Sequence, residues 1–403
     1  MRLTSALAAF DRRLLSDVST PLAVAFSGGG DSLALLLIAD DWAKAHGRRL
    51  VVLTVDHGLN RASADWTRRC AEVAARLGHT FRALSWTGDK PSSGLPAAAR
   101  KARHALLAVA ARDAGARVIL LGHTADDLAE GAAMRAEGST VSDPREWSPS
   151  PAWPQGRGMF LLRPLLGLRR AEIRDWLRDR GQDWIDDPAN EDPRFARSRA
   201  RASRPPLSEA EEPVSSGPAA DPEAARWGLL RLPRDLGAHS LAAACLSAAG
   251  TDSPPRGERL ERLMRQVHGG EAFTATLAGA RIEGEGGGLS IARNAGEAAR
   301  GGLAPMPLAP GQAAVWDGRF ELIAQEPGFT VGPLRGLSAG LPPVQRLALK
   351  AVPAIARPAL PIVFKMDGAI ACPLLDGQTP VRVRALAAER HSAACGLTTR
   401  EPA

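Results

Sequence analysis

From Leu22 to Gly122 the chain alternates short apolar runs with longer segments of helical periodicity. Few folds satisfy that order besides a parallel β-sheet wrapped by helices. The candidate strands are LAVAF (22–26), LVVLTVD (50–56), TFRALSW (80–86) and RVILLGH (117–123). Between them DSLALLLIADDWAKAHG, SADWTRRCAEVAARLG and LPAAARKARHALLAVAARDAG have helical spacing and stop at Gly47, Gly78 and Gly115. Ser63 reads as the cap of the second of these helices. TADDLAEGAAMRAEG (124–138) follows the fourth strand as a further helix. Right-handed βαβ crossovers then predict an α/β fold with a doubly wound parallel sheet.

Beyond that sheet the signals change. The polar, Pro-rich stretch 139–158 reads as a mobile loop. MFLLRPLLGLRRAEIRDWLRDRG (159–181) gives one more strand and helix. The Pro/Ser/Glu-rich segment from Arg204 reads as an interdomain linker. Residues 226–267 look helical, with a break at GTDSPPRG, and AFTATLAGARIEGEGGGLSIAR looks like two or three short strands. From AAVWDGRFELIA onward the chain is β-rich and irregular. The expected organisation is a catalytic domain over 1–205, a linker over 206–225, a smaller helical/α+β domain over 226–300 and a β-rich region over 301–403.

The functional question sits in SGGGDS, from Ser27 to Ser32. This loop lies past the carboxyl end of the first strand and before a helix, where ligands bind in open α/β sheets. Amides at a helix N-terminus favour an anion, and glycine lets backbone approach it closely. Ser27 and Ser32 can add hydroxyl donors. Asp31 can either cap the helix or hold a metal ion that bridges phosphates. A bare strand–turn–helix with an ordinary cap is the alternative reading. The Lys that ends a Walker loop is missing.

That ending resembles the pyrophosphate loop of the ATP pyrophosphatases, which have the adenine-nucleotide α-hydrolase type of sheet. Within them the chain is most similar to the tRNA(Ile)-lysidine synthetases. VDHGLNRASADW resembles their V-D-H-G-L-R segment. AARKARHALL resembles A-R-x-x-R-Y, with Arg100 and Arg103 matching and His104 at the Tyr position. GHTADDLAEG resembles G-H-T-x-D-D-Q-x-E-T, with Leu128 and Gly131 departing from it. RPLL (163–166) matches outright. WIDDPANEDPRFARSRAR resembles D-P-S-N followed by F-x-R-N-x-I-R, with Ser198 and Ala200 replacing Asn and Ile.

The resemblance implies an enzyme that uses ATP and Mg²⁺ to adenylate the C2 oxygen of the wobble cytidine in tRNA(Ile) with a CAU anticodon. The ε-amine of free L-lysine then displaces AMP. It assigns Ser27, Gly28, Gly29, Gly30, Asp31, Ser32, Asp56, His57, Gly122 and His123 to ATP. Asp31 goes to the metal, and Asp31, Asp126 and Asp127 to catalysis. Arg100, Arg103, Arg197 and Arg201 go to tRNA, and residues 226–300 become a tRNA substrate-binding domain. His57 as a turn residue, and the arginines as solvated helix faces, are the structural alternatives.

Composition is compatible with this and argues against one neighbour of the family. The net charge of +7 and pI near 9.9 favour a polyanionic partner. The four cysteines, Cys70, Cys245, Cys372 and Cys395, form no C-x-x-C pair, which argues against a cluster-dependent thiolase and fits a reducing cytosol. No signal peptide and no apolar run of about 18 residues is evident, so a cytoplasmic protein without a membrane span is expected. The alternatives kept open are another pyrophosphatase-loop enzyme, such as a tRNA thiolase or small-molecule amide ligase, and a non-catalytic nucleotide-binding protein. The oligomeric state, a homodimer among the options, stays open too.

Overall fold

A computed structural model describes residues 3–60, 62–139, 143–186, 200, 217–255 and 257–402. It divides into two compact units, Met1–Val214 with Thr398–Ala403, and Ser215–Leu397.

The first unit opens with α1 (Leu3–Arg13) and then alternates strand and helix: β1 (Leu22–Ala25), α2 (Gly30–Ala45), β2 (Leu50–Asp56), α3 (Ser63–Arg76), β3 (Thr80–Ser85), α4 (Leu95–Asp113), β4 (Val118–Leu120), α5 (Ala125–Ala136), β5 (Trp147–Pro149), β6 (Phe160–Leu162) and α6 (Arg170–Arg178). The sheet order is β3-β2-β1-β4-β6-β5, parallel except for β5. On one face Ala23, Val51, Leu53, Ile119 and Leu161 pack against Leu107, Ala108 and Ala111 of α4. Leu22, Val24, Val52, Val118, Leu120 and Leu162, on the other face, are fully buried as well. Burial on both faces is why these strands read as continuous apolar runs. The doubly wound parallel α/β fold is therefore as expected.

Three local expectations are corrected. Residues 147–149 of the expected mobile loop form an antiparallel edge strand. Its order comes from tertiary contacts: Trp147 stacks on Phe160 at 4.9 Å, and Arg163 donates to Ser148 Oγ at 3.0 Å and to Arg145 O at 2.7 Å. Ser63 does not cap α3; it is the first helical residue, behind Ala62, and no side chain caps that end. Part of the expected linker is packed: Asp221 caps a helical turn over Pro222–Ala225, and Ala224 is buried. Residues 201–216 lie outside the described set.

Residues 398–402 return to the first unit. Trp147 Nε1 donates to Thr398 O at 2.7 Å, Arg13 to Thr399 O at 2.9 Å, and Glu401 N to Arg13 O at 2.7 Å. The Glu401 carboxylate meets Arg48 in a two-pronged pair, 2.9 and 3.1 Å, with both side chains buried.

In the second unit α7 (Ala238–Ala249) and α8 (Glu258–His268) cover an antiparallel sheet ordered β7 (Leu230–Pro233), β10 (Gly288–Arg293), β9 (Ala280–Glu285), β8 (Phe273–Leu277). Leu230, Leu241, Cys245, Val267, Ile282 and Ile291 form their common core. β7 lies inside the stretch expected to be helical. Two further antiparallel sheets, of four and three strands, occupy residues 306–385. α9 (Ala387–Ala394) packs beside α7, and between them buried His391 lies 3.4 Å from both Ser240 Oγ and Cys395 Sγ. No helix among the described residues is long and apolar enough to cross a membrane.

Two stability predictions follow from these buried charges. Glu401→Ala strands the Arg48 guanidinium in the core, so the first unit should lose about 3 kcal/mol or more. In calorimetry its transition should fall and should largely recover in Arg48→Met/Glu401→Leu; an unmoved transition contradicts the pairing. Burial lowers the His391 pKa from 6.5 to about 4. Between those values the unfolded chain binds more protons, so stability is lost as pH falls from about 6.5 towards 4. The urea midpoint of the second unit should drop across that window, and less so in His391→Leu.

Candidate active site

The sheet order turns at β1. Strands 1, 2 and 3 run to one side, and β4 begins the other. The loops after β1 and β4 therefore diverge and leave a crevice, the usual ligand position in such sheets. In the loop after β1, Gly28 has φ +84° and its carbonyl accepts from Ile185 N at 2.9 Å. A Cβ on Gly28 would sit 2.5 Å from Ile185 Cδ1, so only glycine fits. Gly29 is the N-cap of α2, and the first intrahelical bond is Leu33 N to Gly29 O. The amides of Gly30, Asp31 and Ser32 thus have no partner within the helix, which makes the turn an anion receptor. Ser32 Oγ braces the loop internally: it donates to Gly29 O at 2.8 Å and lies 3.2 Å from Ser27 Oγ. Asp31 does not cap the helix, since Gly29 holds that place.

Gly122, at the end of β4, presses against the same turn. Its Cβ would lie 3.0 Å from Asp31 O and 3.2 Å from Ser32 Cα. That approach brings the first turns of α2 and α5 together. Asp127 closes a capping box, its Oδ2 accepting from Thr124 N at 2.8 Å and Thr124 Oγ1 at 3.0 Å. Asp126 Oδ2 accepts from Arg170 N at 2.7 Å, so it caps α6 across space. Both aspartates carry helix ends, and Asp127 also faces the crevice cations.

Arg170 is the feature that sequence reasoning missed. Its Nε meets Asp31 Oδ2 at 3.0 Å, its Nη1 Glu130 Oε1 at 2.9 Å and its Nη2 Asp127 Oδ1 at 3.4 Å. Burial by itself would lower the Arg170 pKa; the charges of Asp127, Asp31 and Glu130 outweigh it and raise the pKa overall. The Asp31 carboxyl is nonetheless pushed above its usual range, first by burial and also by Asp127, with Arg170 opposing. The two directions agree once one guanidinium is divided among three carboxylates. Glu130 was visible only as a motif match; it is 2 % exposed and belongs to this cluster.

The other candidates fall into two groups. At the end of β2, Asp56 Oδ1 accepts from Gly58 N at 2.7 Å, and His57 lies edge-on to Trp86 at 6.0 Å. The buried His57 Nδ1 makes no hydrogen bond, and burial followed by Arg103 lowers its pKa. His123 is half-buried in the loop between β4 and α5. On α4, Arg100 and Arg103 act together on buried neighbours. With burial first, they lower the pKa of His104 to about 3 and that of Arg163 to about 9. Leu128, at the family's Gln position, is buried and apolar. Arg197 and Arg201 lie outside the described residues.

No group of three or more His, Cys, Asp or Glu among the described residues is arranged to hold a metal. Mg²⁺ needs only one or two carboxylates when phosphates supply the remaining ligands. Asp31, with one oxygen on Arg170, fits a cation shared with a triphosphate rather than one held by protein alone.

A PP-loop domain model matches residues 4–206. A tRNA(Ile)-lysidine synthase of Caulobacter vibrioides is 52% identical over 100% of this chain and 99% of its own length. One of Hyphomonas neptunium is 39% identical over 69% of this chain and 82% of its own. One of Rhizobium meliloti is 33% identical over 79% and 77%.

Gly28→Ala should weaken ATP binding at least about tenfold, because left-handed backbone strain of about 1–2 kcal/mol adds to the clash with Ile185. Gly138→Ala is the control: φ is +90° there, with nothing within 4 Å of the new Cβ. Titration calorimetry with a non-hydrolysable ATP analogue should separate the two; equal affinities would refute the loop assignment.

Proposed function

The chain belongs to the tRNA(Ile)-lysidine synthase family, and on that premise we propose that it ligates free L-lysine to C2 of the wobble cytidine of tRNA(Ile) with a CAU anticodon. ATP is consumed to AMP and pyrophosphate. The observation that carries the reading is the unbonded first turn of α2 set against a cluster of carboxylates at the sheet's switch point.

The chemistry asks for two opposite environments side by side. The C2 oxygen of cytidine is a poor leaving group, and adenylation makes it a good one. The oxygen attacks the α-phosphorus, and pyrophosphate departs. Amides of Gly30, Asp31 and Ser32, in the turn that Gly28 and Gly29 open, offset charge on the phosphates together with the Ser27 hydroxyl. Asp31 would hold Mg²⁺, which supplies further positive charge there. Asp56, His57, Gly122 and His123 border the nucleotide on the β2 and β4 sides.

In the second step the lysine ε-amine attacks C2, AMP leaves, and the nitrogen gives up a proton. Only a neutral amine attacks, so a carboxylate must orient the ammonium and accept that proton. Asp127 suits this better than Asp126, because its Oδ1 faces the Arg170 guanidinium while its Oδ2 holds the helix. Arg100 and Arg103, three residues apart on α4 and only partly buried, are suited to the tRNA backbone. A tRNA substrate and the lack of a membrane-length helix among the described residues support a cytoplasmic location.

Incubation with ATP, labelled lysine and a CAU-anticodon tRNA should place label in the RNA, with pyrophosphate released only when tRNA is present and AMP only when tRNA and lysine are both present. No label in the RNA, or ADP as product, refutes the reading. Asp127→Asn keeps an acceptor for Thr124 and removes the charge. It should slow lysine capture about 100-fold or more while adenylation changes little; equal rates in both steps would exclude Asp127 from the transfer.

A further inference from the structure

We propose that Arg170 is the positioning residue of this site: its guanidinium fixes the Asp31 carboxylate against those of Asp127 and Glu130, so that the nucleotide-side and lysine-side acids are held in one register. The inference rests on the functional reading above but concerns a residue to which that reading gives no role.

The geometry is specific to arginine. Asp31 is on the first turn of α2, Asp127 and Glu130 are on α5, and Arg170 is the first residue of α6. The three helices start at three different strand ends, so nothing local fixes their side chains relative to one another. Arg170 does so with three separate nitrogens, Nε to Asp31 at 3.0 Å, Nη1 to Glu130 at 2.9 Å and Nη2 to Asp127 at 3.4 Å. Its own backbone N–H is held by Asp126 at 2.7 Å, which anchors the base of the side chain. The side chain is 12% exposed, so water does not compete freely for these bonds. A planar fork with five N–H donors reaches three acceptors in fixed directions; a lysine ammonium supplies the charge but not the directions. Arg174, one turn further on, adds charge near Asp31 but makes its own pair with Asp186 at 3.4 Å.

Misplacing a reacting group by about 1 Å can cost about 100-fold in rate. Arg170→Lys and Arg170→Met should therefore lower kcat for pyrophosphate release about 100-fold, while KM for ATP moves less than about threefold, because the loop amides are untouched. Lysine should not rescue the methionine variant. In Arg170→Ala, millimolar guanidinium should restore part of the rate, and ammonium at equal ionic strength should not. Rates are taken per competent site, counted by stoichiometric binding of a non-hydrolysable ATP analogue, so loss of folded protein is removed from the comparison. A native kcat in Arg170→Lys, or a rise in KM that carries the whole loss, overturns the proposal. The native chain is the control: if it releases no pyrophosphate with tRNA and lysine, the functional reading fails instead.

Discussion

The site depends on one close approach. Gly122 lies so near the backbone of Asp31 and Ser32 that a Cβ would come within 3.0 Å of the Asp31 carbonyl oxygen. Because β1 and β4 are neighbours in the sheet, the turns that follow them start about one strand spacing apart. The missing side chain at 122 lets those turns touch. From that contact the rest follows: α2 and α5 begin side by side, their first-turn acids face one crevice, and α6 can reach both with a single side chain. A larger residue at 122 would widen the gap and separate the acids that Arg170 joins.

Charge then dictates what the crevice can accept. Asp31, Asp127 and Glu130 stand around the guanidinium of Arg170, Asp126 holds its backbone N–H, and Arg174 lies in electrostatic reach of Asp31. Such a set repels a triphosphate unless cations lie between them. On the proposed reading two cations do so, the metal on the nucleotide side and the lysine ammonium on the transfer side. The same reading has the amides of Gly30, Asp31 and Ser32 meet the phosphates directly, with no counter-ion. On that reading a need for both a divalent metal and a cationic amino acid would follow from the acid cluster as much as from the chemistry.

How far the sequence reveals this varies with the range of the interactions. The four central strands are legible because strands buried on both faces must be apolar throughout, and the glycine loop is legible because its φ and its neighbours exclude other residues. β5 is not, since three residues at a sheet edge are ordered by Trp147 on Phe160 and by Arg163 from another strand. β7 alternates buried and exposed residues over only four positions, too few to separate it from the helical segments around it. The return of residues 398–402 rests on Arg48, about 350 positions away, and no local pattern announces such a pair. In the site, the acids were legible as a motif, but both aspartates turn out to hold helix ends as well. Arg170 was hidden because it follows another arginine and no local pattern shows which of them meets carboxylates from two other helices.

The missing Walker lysine can now be placed in physical terms. In a loop that ends in Lys, one mobile ammonium follows the outer phosphates. Here the corresponding turn carries Asp31, whose carboxylate is fixed at 3.0 Å from Arg170. The turn therefore offers the phosphates only stationary dipoles and, through Asp31, a place for a metal. Stationary donors stabilise best a charge that develops at one fixed location. A carboxylate on the first helical turn would oppose charge on the nearest phosphate if its position were free to vary. Tied to Arg170 it is held to one side, and the anionic tail meets the amides. The arginine from α6 thus does for the acids what a mobile lysine could not: it settles where negative charge of the protein ends and where that of the nucleotide begins.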